Sequence, residues 1–280
     1  MPHLFACIDG SPSSPAVCDY AAWASQRLST PLTLLHVLDH QTYPVAGNLT
    51  GNIGLGSREA LLTELAELDE RRNKLALEQG RLMLEAARDR LDADEIRLRQ
   101  RHGDLLECVL ELEQDIRLLV MGRQGDTSGF QGRDIGSHLE SVIRALHRPI
   151  LVSPVQFSAP RSAMLAYDGS ETVRKGVRMI AASPLFRDMS IHLVMVGADT
   201  NDAWAQLEAG LNVLRDAGLT AEAVIRPGEV EPTLHAYQQD HGIDLLVMGA
   251  YGHSRIRQFL VGSTTTQMLR TATSALLLLR

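Results

Sequence analysis

The chain has 280 residues, 45% hydrophobic and 22% charged, with a formal net charge of −7. That length can bury two ordinary cores, and the acidic balance argues against a nucleic-acid surface, which normally carries a basic stripe. The longest apolar stretch, Ala275–Leu279, falls far short of the ~20 residues of a membrane helix. Met1-Pro2-His3 lacks the basic start of a signal peptide. Cys7, Cys18 and Cys108 have neither metal-site nor disulfide spacing. Together these features predict a cytoplasmic protein with reduced, mostly buried thiols.

Strand-like runs at 3–9, 32–38, 95–101, 116–121 and 149–153 alternate with helical patterns. The first run ends in Asp9-Gly10-Ser11. Ser13 and Ser14 before Pro15 then predict a helix N-cap with proline in the first turn. After the second run come Pro44, Gly47, Gly51, Gly54 and Gly56, and then an amphipathic stretch at 58–91. Leu61, Leu65, Leu68, Leu75, Leu82 and Ala86 fall mostly on one face of it. As a helix it would reach roughly 50 Å at 1.5 Å per residue, overhanging a small sheet. It either packs partly on its own sheet or serves as a partner or dimer helix. The run 116–121 is apolar without alternation, as in a central strand buried on both faces. Residues 153–161 contain Pro154 and Pro160, lack helical period, and read as a linker.

A second series follows, with strand-like runs at 162–168, 190–196, 221–226, 243–248 and 275–279. Trp204, Leu207, Leu211 and Leu214 predict a helix closed by Gly218. The two series match in order. Asp9-Gly10-Ser11 corresponds to Asp168-Gly169-Ser170, and Ile116 to Gly125 corresponds to Ile243 to Gly252. Alternating strands and helices imply parallel βαβ units. The expected fold is α/β: two tandem, Rossmann-like, doubly wound domains of five parallel strands, at 1–155 and 161–280.

Both copies carry a glycine loop suited to phosphate. Gly249-Ala250-Tyr251-Gly252 is followed after nine residues by Gly262-Ser263, which opens a helix through Thr264. Bare glycine backbone lets amides approach an anion, and the helix N-terminus adds free N–H groups and a positive dipole end. Asp168 ends the first strand of this half and Gly249 the fourth. If those strands are neighbours, carboxylate and loop share one crevice. Other phosphate chemistries lack their residues. No glycine loop holds a lysine as a Walker A loop requires, and no Gly-x-Gly-x-x-Gly follows a first strand. Ser11 and Ser170 lack a nucleophile elbow. His36 and His40 stand at a strand end, where four-residue spacing does not share a face, so no metal site is expected. His253, Arg255 and Arg257 lie between the glycines, either screening phosphate or facing solvent.

At these residues the chain resembles the universal stress protein family in its tandem two-domain form. The family's Gly-x-x-Gly, nine residues, Gly-Ser/Thr motif stands as Gly249, Gly252, Gly262 and Ser263. The resemblance implies ATP binding, with or without Mg2+. It places Asp168 and the Val196 backbone on the adenine side, Met248 and Gly249 near ribose, and Gly252, Gly262, Ser263 and Thr264 around phosphate. The first half departs from the pattern. Ten residues separate Gly125 from Gly136-Ser137, Asp126 and Asp134 lie between, and His138 stands where the second copy has Thr264. A second site there would use Asp9, Val37, Gly122, Gly125, Gly136 and Ser137. The function expected is a stress-response sensor or interaction module binding an adenine nucleotide in its second half. A slow ATPase or nucleotide-processing enzyme using the same crevice, and a nucleotide-free module for another ligand or protein, are the alternatives. The family dimerises through its last strand. The apolar runs at 149–152 and 275–279 therefore suggest an internal pseudo-dimer, with a homodimer beyond it.

Overall fold

A computed structural model describes residues 2–38, 55–91, 95–124, 137–249 and 263–279, with backbone alone at 55–60, 62, 137 and 263–265. The first half runs β1 (His3–Cys7), α1 (Ser14–Leu28), β2 (Leu32–Leu38), α2 (Leu55–Arg90), β3 (Ile96–His102), α3 (Leu105–Glu111), β4 (Ile116–Gly122), α4 (Ser137–Ala145), β5 (Ile150–Ser153). The second runs β6 (Ser162–Ala166), α5 (Glu171–Ala182), β7 (Ser190–Val196), α6 (Asn201–Asp216), β8 (Thr220–Arg226), α7 (Val230–His241), β9 (Leu245–Gly249), α8 (Ser263–Thr271), β10 (Ala275–Leu279).

Among the described residues, ten strands form one sheet in the order β3-β2-β1-β4-β5-β10-β9-β6-β7-β8. Pairing is parallel within each half, and β5 meets β10 antiparallel through Leu151↔Leu277. The halves thus join edge to edge about a pseudo-twofold axis, which removes two exposed sheet edges at once. Leu118, Val120, Leu151, Leu165, Val247 and Leu277 pack beneath α1, α2, α5 and α6. Leu119, Met121, Val152, Met164, Leu246 and Leu276 pack on the opposite face, which α3, α4, α7 and α8 cover. The middle residues of the central strands, such as Leu118–Met121 and Leu245–Met248, are therefore apolar without alternation. The outermost strands, β3 and β8, carry Arg97, Arg99, Arg101 and Glu222, charges that discourage further strand addition.

Local chemistry sets the element ends. Asp244 accepts from the Arg161 amide at 2.8 Å and the Ser162 amide at 3.2 Å, pinning the starts of β6 and β9 together. This polar clamp is why β9 begins at Leu245 rather than at Ile243. Helix α6 ends where expected, with Leu207, Leu211 and Leu214 buried. Trp204, however, is 40% exposed and donates from Nε1 to Asp199 at 2.6 Å. It stays outside the core because its indole N–H finds its partner at the surface. Ser13 occupies the N-cap of α1 without making a capping bond. Its own φ and ψ are already helical, at −84° and −16°, and its hydroxyl is engaged elsewhere, as described below. Cys18 and Cys108 are buried and Cys7 partly so, all as free thiols. Among the described residues no helix is long and apolar enough to cross a membrane.

The seam has more than strand pairing. Tyr20 of α1 meets Phe157, from the segment joining β5 to β6, edge-on at 4.8 Å between centroids. Helix α1 also packs on the turn at Pro184–Phe186, where Phe186 is fully buried. Arg27 donates to the Arg187 carbonyl at 2.6 Å.

Candidate functional site

The order of strands reverses between β1 and β4 in the first half and between β6 and β9 in the second. Loops leaving the carboxyl ends of such neighbours diverge to opposite faces and leave a crevice, the usual ligand position in a doubly wound sheet. Asp168 and Gly249 stand on either side of the second crevice, and Asp9 and Gly122 on either side of the first. Val196 and Val37 lie at or near the ends of the next strands, β7 and β2.

In the second half, Asp168 is exposed, and Oδ1 accepts from the Ser170 amide at 2.9 Å. Ser170 caps α5 by accepting from the Val173 amide at 3.2 Å. The turn between them needs Gly169, whose φ is +70° and whose missing Cβ would lie 2.0 Å from Gln206 Oε1 of α6. Tyr167, buried below, donates to the Gln206 carbonyl at 3.2 Å, and burial pushes its phenol pKa up, which keeps it a donor. Gly249 faces the first turn of α5, since a Cβ there would touch Thr172 Cγ2 at 3.4 Å and Val173 Cγ2 at 3.7 Å. Helix α8 returns antiparallel to β9 and β10, so its N-terminus at Ser263 opens at this same end of the sheet. Met248 is only 6% exposed, and its side chain belongs to the lower apolar layer. Only its backbone is available to a ligand. Gly252 and Gly262, with His253, Arg255 and Arg257, lie outside the described residues, as do the side chains of Ser263 and Thr264.

Replacing Gly169 by alanine should destabilise the chain by about 1–2 kcal/mol, from the left-handed backbone alone. Urea unfolding checks this. Adding Gln206→Ala should recover only the steric part of the loss.

The first half uses equivalent residues differently. Asp9 Oδ1 accepts from both the Ser11 amide and the Ser14 hydroxyl, each at 3.0 Å. Ser14 Oγ in turn accepts from the Gly10 amide at 3.1 Å. Ser11 and Ser13 bond each other at 2.9 Å, and Ser13 donates to the Gln124 carbonyl at 2.8 Å. That bond ties the start of α1 to the loop after β4 and is the reason Ser13 does not cap. It also explains Gly122, where a Cβ would sit 2.8 Å from Ser13 Oγ. Met83 of α2 lies over Gly10, and His36 Nδ1 bonds the Ile8 carbonyl at 2.8 Å. Arg123, a cation of this glycine loop, reaches across the seam to the Ala272 carbonyl at the end of α8. There a positive charge suits the negative end of the helix dipole. Gly125 and Gly136, with Asp126, Asp134 and His40, lie outside the described residues, as does the Ser137 side chain.

Both aspartates are exposed, but Asp168 Oδ1 accepts from one amide, whereas Asp9 Oδ1 accepts from an amide and a serine hydroxyl. Sequence reasoning missed Gln206, Tyr167 and Thr172 around the second crevice, and Met83 over the first. Each arrives by tertiary packing, and no local motif marks it. Among the described residues no group of three or more His, Cys, Asp or Glu could hold a metal ion.

A family profile described as Universal stress protein family matches residues 1–154 and 195–280. The chain is similar to Universal stress protein Slr1230 of Synechocystis, at 36% identity over 277 residues covering 96% of each chain. The fold is similar to the crystal structure of a universal stress protein from Archaeoglobus fulgidus, with TM-score 0.71, 17% identity, and coverage of 99% of this chain and 98% of that one. A crystal structure from Pseudomonas aeruginosa gives TM-score 0.66 at 14% identity, covering 100% of this chain and 93% of that one. The chain belongs to the universal stress protein family.

Proposed function

We propose that this member of the universal stress protein family binds an adenine nucleotide, ATP with or without Mg2+, in the crevice of its second half. It then acts as a cytoplasmic stress-response sensor or interaction module. The observation that carries this reading is the adjacency of β6 and β9, which sets an exposed Asp168 opposite Gly249. A carboxylate only accepts, so it suits the exocyclic amine of adenine and repels phosphate. Phosphates are then directed toward the bare backbone after Gly249 and the N-terminus of α8, where amides and dipole favour anions. In this reading Val196, Met248 and Gly249 contribute backbone around base and ribose. Gly252, Gly262, Ser263 and Thr264 surround the phosphates, and the domains are 1–155 and 161–280.

The first crevice is the weaker candidate, because Asp9 is held by Ser11 and Ser14 and Arg123 by Ala272. One site per chain is expected. Titration calorimetry with ATP checks this, and Asp168→Ala should weaken binding about tenfold to hundredfold through loss of a charge-assisted hydrogen bond. Two equal sites, or unchanged affinity in Asp168→Ala, would contradict the reading. Bound ATP should persist without steady turnover.

A further inference from the structure

Helix α2 has two faces with different fates. Gly80, Leu84 and Ala87, with Leu91 beyond its end, pack toward the sheet, and Gly80 lies directly on His36 and Gln100. Leu61, Leu65, Leu68, Leu75 and Leu82 are between 41% and 71% exposed. Leu82 is offset from Leu84 by about 200° around the helix, so this stripe points away from the sheet where α2 is packed. Leu61, Leu68, Leu75 and Leu82 recur every seven residues, the spacing of d positions in a coiled coil, and Leu65 occupies an a position. Elsewhere the helix is solvated by ion pairs such as Glu70–Lys74 at 2.6 Å and Arg81 with Glu78 and Glu85, each at 2.6 Å.

We propose that α2 pairs antiparallel with α2 of a second copy of this chain, crossing near Ala66 and Glu67. Charge decides the direction. A parallel pair would set Arg72 against its own copy and Glu64 beside the partner's Asp69, both repulsive. The antiparallel pair sets Leu65 on the partner's Leu68, lays the partner's Arg72 stem along Leu61, and brings Glu64 beside the partner's Arg71. Twofold symmetry makes each contact twice. Residues 57–76 overlap over about 30 Å, stopping short of Leu77, whose carbonyl accepts from Gln100 of β3 at 3.1 Å.

This pairing is independent of nucleotide binding. Sedimentation equilibrium of the full chain across the micromolar range should show a monomer–dimer equilibrium. Leu68→Glu, at an exposed position that leaves the fold intact, should raise the dimer dissociation constant about tenfold or more. Glu64→Arg and Arg71→Glu should each weaken the dimer, and combining them should restore it. Circular dichroism of every variant should match the parent. A monomer at all concentrations, a dimer that survives Leu68→Glu, or a double variant no tighter than the singles would overturn the proposal.

Discussion

Leu277→Ala should lower the stability of the entire chain by about 2–5 kcal/mol, and tryptophans in both halves should report the same loss. Leu277 lies opposite Leu151 at the antiparallel seam, and the two are 3% and 0% exposed. Separating the halves would expose both side chains and their neighbours, at roughly 1.5–3 kcal/mol each. Neither half should therefore survive alone at the midpoint of unfolding. The chain has two tryptophans, Trp23 on α1 and Trp204 on α6, one reporter on each side of the seam. Single-tryptophan chains made with Trp204→Phe or Trp23→Phe should give coincident urea transitions, and Leu277→Ala should shift both. Leu151→Ala with Leu277→Ala should cost less than the sum, because facing residues share one void. Two resolved transitions would show that the seam is not the cooperative element.

Gly262→Val should reduce ATP affinity about tenfold to hundredfold, the scale of losing one charge-assisted hydrogen bond at a phosphate. In the proposed site, valine would set a branched Cβ beside the amides assigned to phosphate, immediately before α8 begins at Ser263. Saturating ATP should raise the melting temperature of the parent chain and leave that of Gly262→Val unmoved. Melting without nucleotide should be nearly equal in both. Gly136→Val, the matching change in the first half, should leave ATP affinity within about twofold if Asp9 and Arg123 are committed as described.

Much of this molecule could be read before its coordinates. Runs such as Leu118 to Met121 and Leu245 to Met248 are apolar at every position because both faces of a central strand are covered, so they stand out without context. The Asp-Gly-Ser turns also declare themselves, since Gly10 and Gly169 have φ of +79° and +70°, a conformation other residues rarely adopt. What stayed hidden depends on distant partners. Trp204 fits the helical stripe by spacing, yet Asp199 holds it at the surface. Ser13 has the composition of a cap, yet Gln124, far along the chain, takes its hydroxyl. Arg123 carries no local sign that its guanidinium leaves the glycine loop for Ala272. The continuous sheet was legible only as two apolar terminal strands, and their antiparallel register needed the coordinates.

Mass spectrometry of small molecules released from the freshly purified chain tests nucleotide binding most directly. The expected result is an adenine nucleotide, at no more than one per chain, absent from Gly262→Val prepared alongside. Release of a different ligand from the second-half crevice, or an empty chain that also fails to take up added ATP, would contradict it.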